Sequence, residues 1–213
     1  MVCLKLVKKR ECWVPTCWGW ILIFLLLCFS IGFYTKSIHS FLSVSRPVQA
    51  QILAVDEWIP PQALESAASE FKERGYAHLV VLGDERRWVA PILASAGVNE
   101  KRIVAIHFET VRKDRTFASA VALRDWLLSS GMSGKAVNLF TLGVHARRSW
   151  LLFREALGPG SRVGVIACAN PEYDPNKWWE SSAGFKTVID ETIAYIYTEL
   201  FFFPDNKSVS SEE

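Results

Sequence analysis

The longest uninterrupted pattern in the chain is apolar. From Cys12 to Thr35 no charged residue occurs, and the centre, "WGWILIFLLLCFSIGFY", is apolar almost throughout. About 20 such residues span a bilayer, and the stretch lacks the polar face of a buried core helix, so one transmembrane helix is predicted. Trp13, Trp18, Trp20 and Tyr34 stand near its ends, as interfacial aromatics do. A short tether follows, and then the pattern becomes regular. Five short apolar runs rich in β-branched residues read as strands covered on both faces: "QILAVD" (51–56), "HLVVLGD" (78–84), "RIVAIHF" (102–108), "AVNLFTLG" (136–143) and "RVGVIACA" (162–169).

Helix patterns separate these runs: "PPQALESAASEFKERG", "WVAPILASAG", "RTFASAVALRDWLLSSG" and "HARRSWLLFREALG", each closing on a glycine stop. A last helix is predicted over 182–203, before the polar stretch "PDNKSVSSEE". Strand alternating with helix predicts an α/β fold: a Rossmann-like three-layer domain with a mainly parallel sheet of about five strands, joined by right-handed crossovers. The segments expected are a basic N-terminus (1–17), the anchor (18–35), a tether (36–50), the α/β domain (51–203) and a disordered tail (204–213). "YIYTELFFF" is interrupted by Glu199 and is too short to cross a bilayer; it reads as a packing helix, with its aromatic end able to meet a membrane surface.

Charge sharpens the address. Lys5, Lys8, Lys9 and Arg10 precede the anchor, and only Lys36 and Arg46 follow closely. The positive-inside rule therefore places the N-terminus in the cytoplasm and the domain outside it. A cleaved signal peptide shares the basic start and apolar run, but the nearest cleavage-like site, "VQA" ending at Ala50, lies too far beyond the run. The N-terminal cations outweigh the whole formal net charge of +2, which leaves the rest slightly acidic and argues against a nucleic-acid partner. Of five cysteines only Cys168 falls in the outer domain, so no internal disulfide is available there. Cys168 reads as a small core residue before a nucleophile.

In open parallel sheets ligands bind beyond the carboxyl ends of the strands, where the strand order reverses. Those ends carry Asp56, Glu57 and Trp58; Gly83 and Asp84; Arg115 and Thr116 opening a helix; and Gly143 feeding His145, Arg147 and Arg148. The spacing of His145 and Arg148 puts both on one face of a first helical turn, where free N–H groups and the macrodipole favour a phosphate or carboxylate. Two arginines at a helix start are locally unfavourable. A bound anion, or pairing with Asp56, Glu57 or Asp84, would compensate. Catalytic candidates are His145, Asp56 and Glu57; ligand-binding candidates are Arg115, Thr116, Gly143, Arg148 and Asp84. Trp178 and Trp179 read either as an aromatic wall for a sugar or base or as packing. No GxGxxG, GxxxxGK[ST] or GxSxG occurs, so no dinucleotide, P-loop or hydrolase fingerprint is present. No cofactor is identified and no metal spacing occurs among the four histidines, though crevice carboxylates would bind Mg²⁺ weakly.

"GVNEKRI" (97–103), "RTFASAVALRDWL" and "TLGVHARRSWLLFREALG" together resemble the SanA, YdcF and ElyC-like domain family over about 51–203. That resemblance implies a bacterial inner-membrane protein of the cell envelope, tied to peptidoglycan or surface-polysaccharide metabolism. It also admits S-adenosylmethionine or nucleotide binding, as in a cytosolic relative. The chain departs from the family at Arg115, where asparagine is usual, and at "VDEW" and Gly83-Asp84, which replace Gly-Gly turns. The expected ligand is a phosphorylated glycan or lipid-linked precursor; the alternative is a noncatalytic domain that recruits envelope protein partners.

Overall fold

The computed structural model describes residues 15–83, 86–108 and 115–202. Two compact units divide at Ser37 and Ile38. Helix α1 (Cys17–Leu42) has 26 residues, an axial length of about 39 Å at 1.5 Å per residue, and is long and apolar enough to cross a membrane. It runs through residues 36–42, which the sequence pattern assigns to the tether, because no proline or glycine interrupts them. The expected N-terminal basic segment up to residue 14 and the tail lie outside the described residues.

The α/β unit is built on β1 (Ile52–Asp56), β2 (His78–Leu82), β3 (Ile103–Ile106), β4 (Val137–Leu142) and β5 (Val163–Cys168). All pairings are parallel, in the order β3-β2-β1-β4-β5. Strand polarity thus agrees with the continuous apolar runs: β1 is buried along its whole length, as a central strand covered on both faces must be.

Alternate residues separate the two cores. Leu53, Val55, Leu79 and Val81 face α2 (Pro61–Arg74) and α3 (Arg86–Ser95), whose Leu64, Phe71 and Leu93 are fully or almost fully buried. Ile52, Ala54, Val80 and Leu82 face α4 (Arg115–Ser129) and α5 (Ala146–Leu157), meeting Leu123 and Phe153. The result is a three-layer sandwich. Gly75 ends α2 in the left-handed conformation that a β-carbon resists (φ 67°). Helix α6 (Ser182–Phe201) starts at Ser181, whose hydroxyl accepts from Gly184 N–H at 3.0 Å.

The tether meets the β5 edge of the sheet. Arg46 exchanges backbone hydrogen bonds with Val165 of β5 in an isolated antiparallel bridge. Asn138, fully buried on β4, grips the next residues: its Oδ1 accepts from Val48 N–H at 2.9 Å and its Nδ2 donates to Val48 O at 2.8 Å and Tyr76 Oη at 2.7 Å.

Candidate functional site

The strand order turns between β1 and β4, whose connections leave in opposite directions across the sheet. At that point Thr141 Oγ1 of β4 donates to Asp56 Oδ2 of β1 at 2.7 Å. Beyond this pair opens a crevice of about 450 Å³. Asp56, Glu57 and Trp58 line it from β1, Arg115 and Thr116 from α4, and His145 and Arg148 from the start of α5. Tyr197 and Thr198 of α6 complete the wall.

Each side chain arrives by a local device. A 3-10 turn, Gly143–His145, carries the chain from β4 into α5, with His145 as the residue before the helix and Arg148 in its first turn. Gly143 supplies the positive φ of 46° that this turn requires. It does not line the crevice, so its place here is conformational. Gly83 serves Glu57: a β-carbon there would lie 1.9 Å from the Glu57 carboxyl carbon, so only glycine lets that carboxylate fold over the end of β2. Asp84 lies outside the described residues.

The carboxylate that holds His145 and Arg148 is Glu191, on α6. His145 Nδ1 lies 2.7 Å from Glu191 Oε1, while Arg148 grips the same group through Nε to Oε2 at 2.9 Å and Nη2 to Oε1 at 3.1 Å. Nδ1 carries the proton in this network, because a bare nitrogen would face the carboxylate lone pair. Arg148 Nη2, 3.0 Å from Nδ1, directs its own proton to Oε1. The other ring nitrogen, Nε2, takes no part in this network. Its ring meets Trp58 edge to face at 5.1 Å. Arg148 Nη1 also reaches Thr116 Oγ1 at 3.5 Å.

The buried Asp56 and the part-buried Glu191 are thereby driven apart. Burial pushes Glu191 up, but hydrogen bonds from His145 and Arg148 outweigh it and hold the group at about 2. Asp56 goes the other way: burial raises it, against the opposing pull of His145, the Thr141 hydroxyl and Arg148. Glu191 is a fixed anion that orients the imidazole, and Asp56 is a carboxyl that holds a proton more readily than usual. Such opposed environments separate acid from base roles.

The carboxylate that pairs with Arg148 is Glu191, which was not among the expected Asp56, Glu57 and Asp84. Arg147 points elsewhere, donating to the Phe41 carbonyl and stacking on the Phe41 ring at 3.8 Å, where it secures the end of α1. Arg115 is exposed at the crevice and makes no ion pair among the described residues. Trp178 is 1% exposed and stacks against Phe185, so it packs and forms no wall of the site. The aromatic that does reach the crevice is Trp58. Cys168 is half-buried, and burial pushes its thiol up, away from a nucleophile's character. Among the described residues no cluster of histidine, cysteine and carboxylate side chains suited to a metal occurs.

Sequence reasoning missed Glu191, Thr141 and Tyr197. Glu191 lies 43 positions beyond Arg148, in a helix read as packing. The one available signal was that an acidic residue inside "VIDETIAYIY" needs a partner if the helix packs. No family model, curated protein or solved structure matches the chain.

Proposed function

We propose that this chain is a membrane-anchored, extracytoplasmic member of the SanA, YdcF and ElyC-like domain family, acting in envelope biogenesis or integrity at the bacterial inner membrane. Its crevice binds the phosphate of a phosphorylated glycan or lipid-linked precursor. The observation that carries this reading is the crevice at the strand-order switch, where Arg115, Thr116, His145 and Arg148 converge. Arg148 is paired with Glu191, and Arg115, which has no ion-pair partner among the described residues, supplies the charge that attracts the anion. His145 Nε2 is the acceptor or, once protonated, the donor at the reacting oxygen, and Asp56 is the proton reservoir beside it.

Melting of the full chain in detergent, titrated with sugar phosphates, nucleotide sugars, polyprenyl-phosphate analogues and S-adenosylmethionine, tests the reading. A ligand at 100 times its Kd stabilises the native state by about 2.7 kcal/mol. A shift with the phosphorylated compounds that Arg115→Ala removes supports it; a shift with S-adenosylmethionine alone overturns it in favour of a nucleotide-type site.

A second reading has its own observation. Helix α6 exposes Ile193, Ile196, Leu200 and Phe201, each between 47% and 64% accessible. Such a stripe suits a protein partner in the envelope. Absence of any ligand shift, with crosslinks to a partner through α6, favours that noncatalytic role.

A further inference from the structure

A second cavity, of about 380 Å³, shares Trp58 and His145 with the crevice and continues past them. Its volume lies within the roughly 300–1,000 Å³ typical of small-molecule sites. Its lining is of two kinds. Pro60, Leu142 and Pro171 give it apolar walls, while Asn170, Glu172 and Thr187 present polar groups. The Asn170 carboxamide oxygen accepts from Glu172 N–H at 3.0 Å, and its amide nitrogen has no partner among the described residues. The amide therefore remains available to donate.

The two cavities differ in charge. Arg115 and Thr116 line only the first, and Glu191, which lines the second, is already bound to His145 and Arg148. Hydrocarbon would leave Asn170, Glu172 and Thr187 without partners, at a desolvation cost for each. A second anion would face Glu172. A sugar or polyol satisfies both kinds of wall, because its C–H face packs on tryptophan and proline while its hydroxyls meet amide, carboxylate and hydroxyl groups.

We infer that the second cavity is a carbohydrate subsite, and that the ligand is a sugar phosphate lying across both cavities with its phosphate near Arg115 and its ring beyond Trp58. The inference rests on the anion-site reading above and gives it a direction. The ester oxygen joining phosphate to sugar then passes His145, one of the two residues common to both cavities. Trp58, 48% exposed and braced edge-on by His145, is the platform at the junction.

The test compares inorganic phosphate, glucose 1-phosphate and decyl phosphate by calorimetric titration of the full chain in detergent. Glucose 1-phosphate is expected to bind at least tenfold more tightly than phosphate. Thr187→Trp, which fills the second cavity, should reduce it to the phosphate level and leave phosphate affinity unchanged, which also shows that the variant is folded. Asn170→Ala should weaken the sugar ester alone, by about threefold to tenfold, and serves if Thr187→Trp does not fold. Equal affinities for phosphate and the sugar ester, or tighter binding of decyl phosphate, would overturn the subsite while the anion site stands. No binding by phosphate or either ester overturns the anion site and the subsite together.

Discussion

Glu191 and Asp56 are carboxyls in one protein interior with opposite protonation behaviour, and that contrast makes each testable alone. Glu191 is held at about 2, below its ordinary 4.5, so the fold favours its ionised form. Its contribution is complete above about pH 4.5 and disappears as the pH falls through about 2. Glu191→Gln puts an amide NH₂ against donors that need an acceptor, which costs about 1–3 kcal/mol at pH 7. The melting temperatures of wild type and Glu191→Gln should be well separated at pH 7 and converge on acidification; a separation that survives to pH 2 would contradict the pair. Asp56 has the reverse sign. Its folded value is raised, so stability falls as the pH rises above the ordinary carboxyl range, and Asp56→Asn, which still accepts from Thr141, should stabilise the protein at pH 7 by about 0.5–2 kcal/mol. Denaturant melts that show destabilisation would instead mean that the ionised carboxylate is satisfied in place. His145, Arg148, Arg115 and Asp56 could be placed at one crevice from the sequence because each sits within a few residues of a strand end or helix start, where chain order predicts position. Glu191 was not, because a contact across 46 positions depends on where α6 crosses the sheet, which no local pattern encodes.

Among the elements, strands and helices were readable because each carries its own punctuation. The predicted run 51–56 becomes β1 (Ile52–Asp56), and 136–143 becomes β4 (Val137–Leu142), bounded by turns and glycines. The tether was less readable. Residues 36–42 lack a breaker and stay helical, and the following residues are ordered by Asn138, a polar residue inside an apolar strand whose purpose appears only when Val48 and Tyr76 are seen around it. Removing that carboxamide leaves the part-buried backbone N–H and carbonyl of Val48, and the buried Tyr76 hydroxyl, without that partner. Asn138→Ala should therefore cost about 1–3 kcal/mol and expose the segment around Val48 to proteolysis. Arg46→Ala is the contrast: that residue pairs with β5 through its backbone and its exposed side chain only overlies Trp150 at 5.7 Å, so a change within about 0.5 kcal/mol is expected. Equal losses in the two variants would show that the tether is held by side-chain packing and not by the Asn138 grip.

At the scale of the molecule, ligand class and membrane orientation are one question. The α/β unit begins at Ile38, directly after a unit that ends at Ser37 and contains most of the apolar helix, so whichever side of the bilayer receives residue 38 receives the crevice. Orientation is set by flanking cations, and here the bias rests on Lys5, Lys8, Lys9 and Arg10 against Lys36 and Arg46. With the N-terminus cytoplasmic, the proposed ligand is an extracytoplasmic sugar phosphate; with it outside, the proposal turns to cytoplasmic nucleotides and S-adenosylmethionine. A C-terminal alkaline phosphatase fusion should be active and a C-terminal green fluorescent protein fusion dark. Changing the four N-terminal cations to asparagine while adding lysines beside Lys36 should weaken or reverse that pattern. A fluorescent wild-type fusion with inactive phosphatase would contradict the extracytoplasmic assignment without touching the geometry around His145, and would move the search for a ligand to cytoplasmic phosphates. Retention of the native chain in the membrane pellet after alkaline carbonate, together with phosphatase activity, is the result that the apolar helix and its charge bias predict.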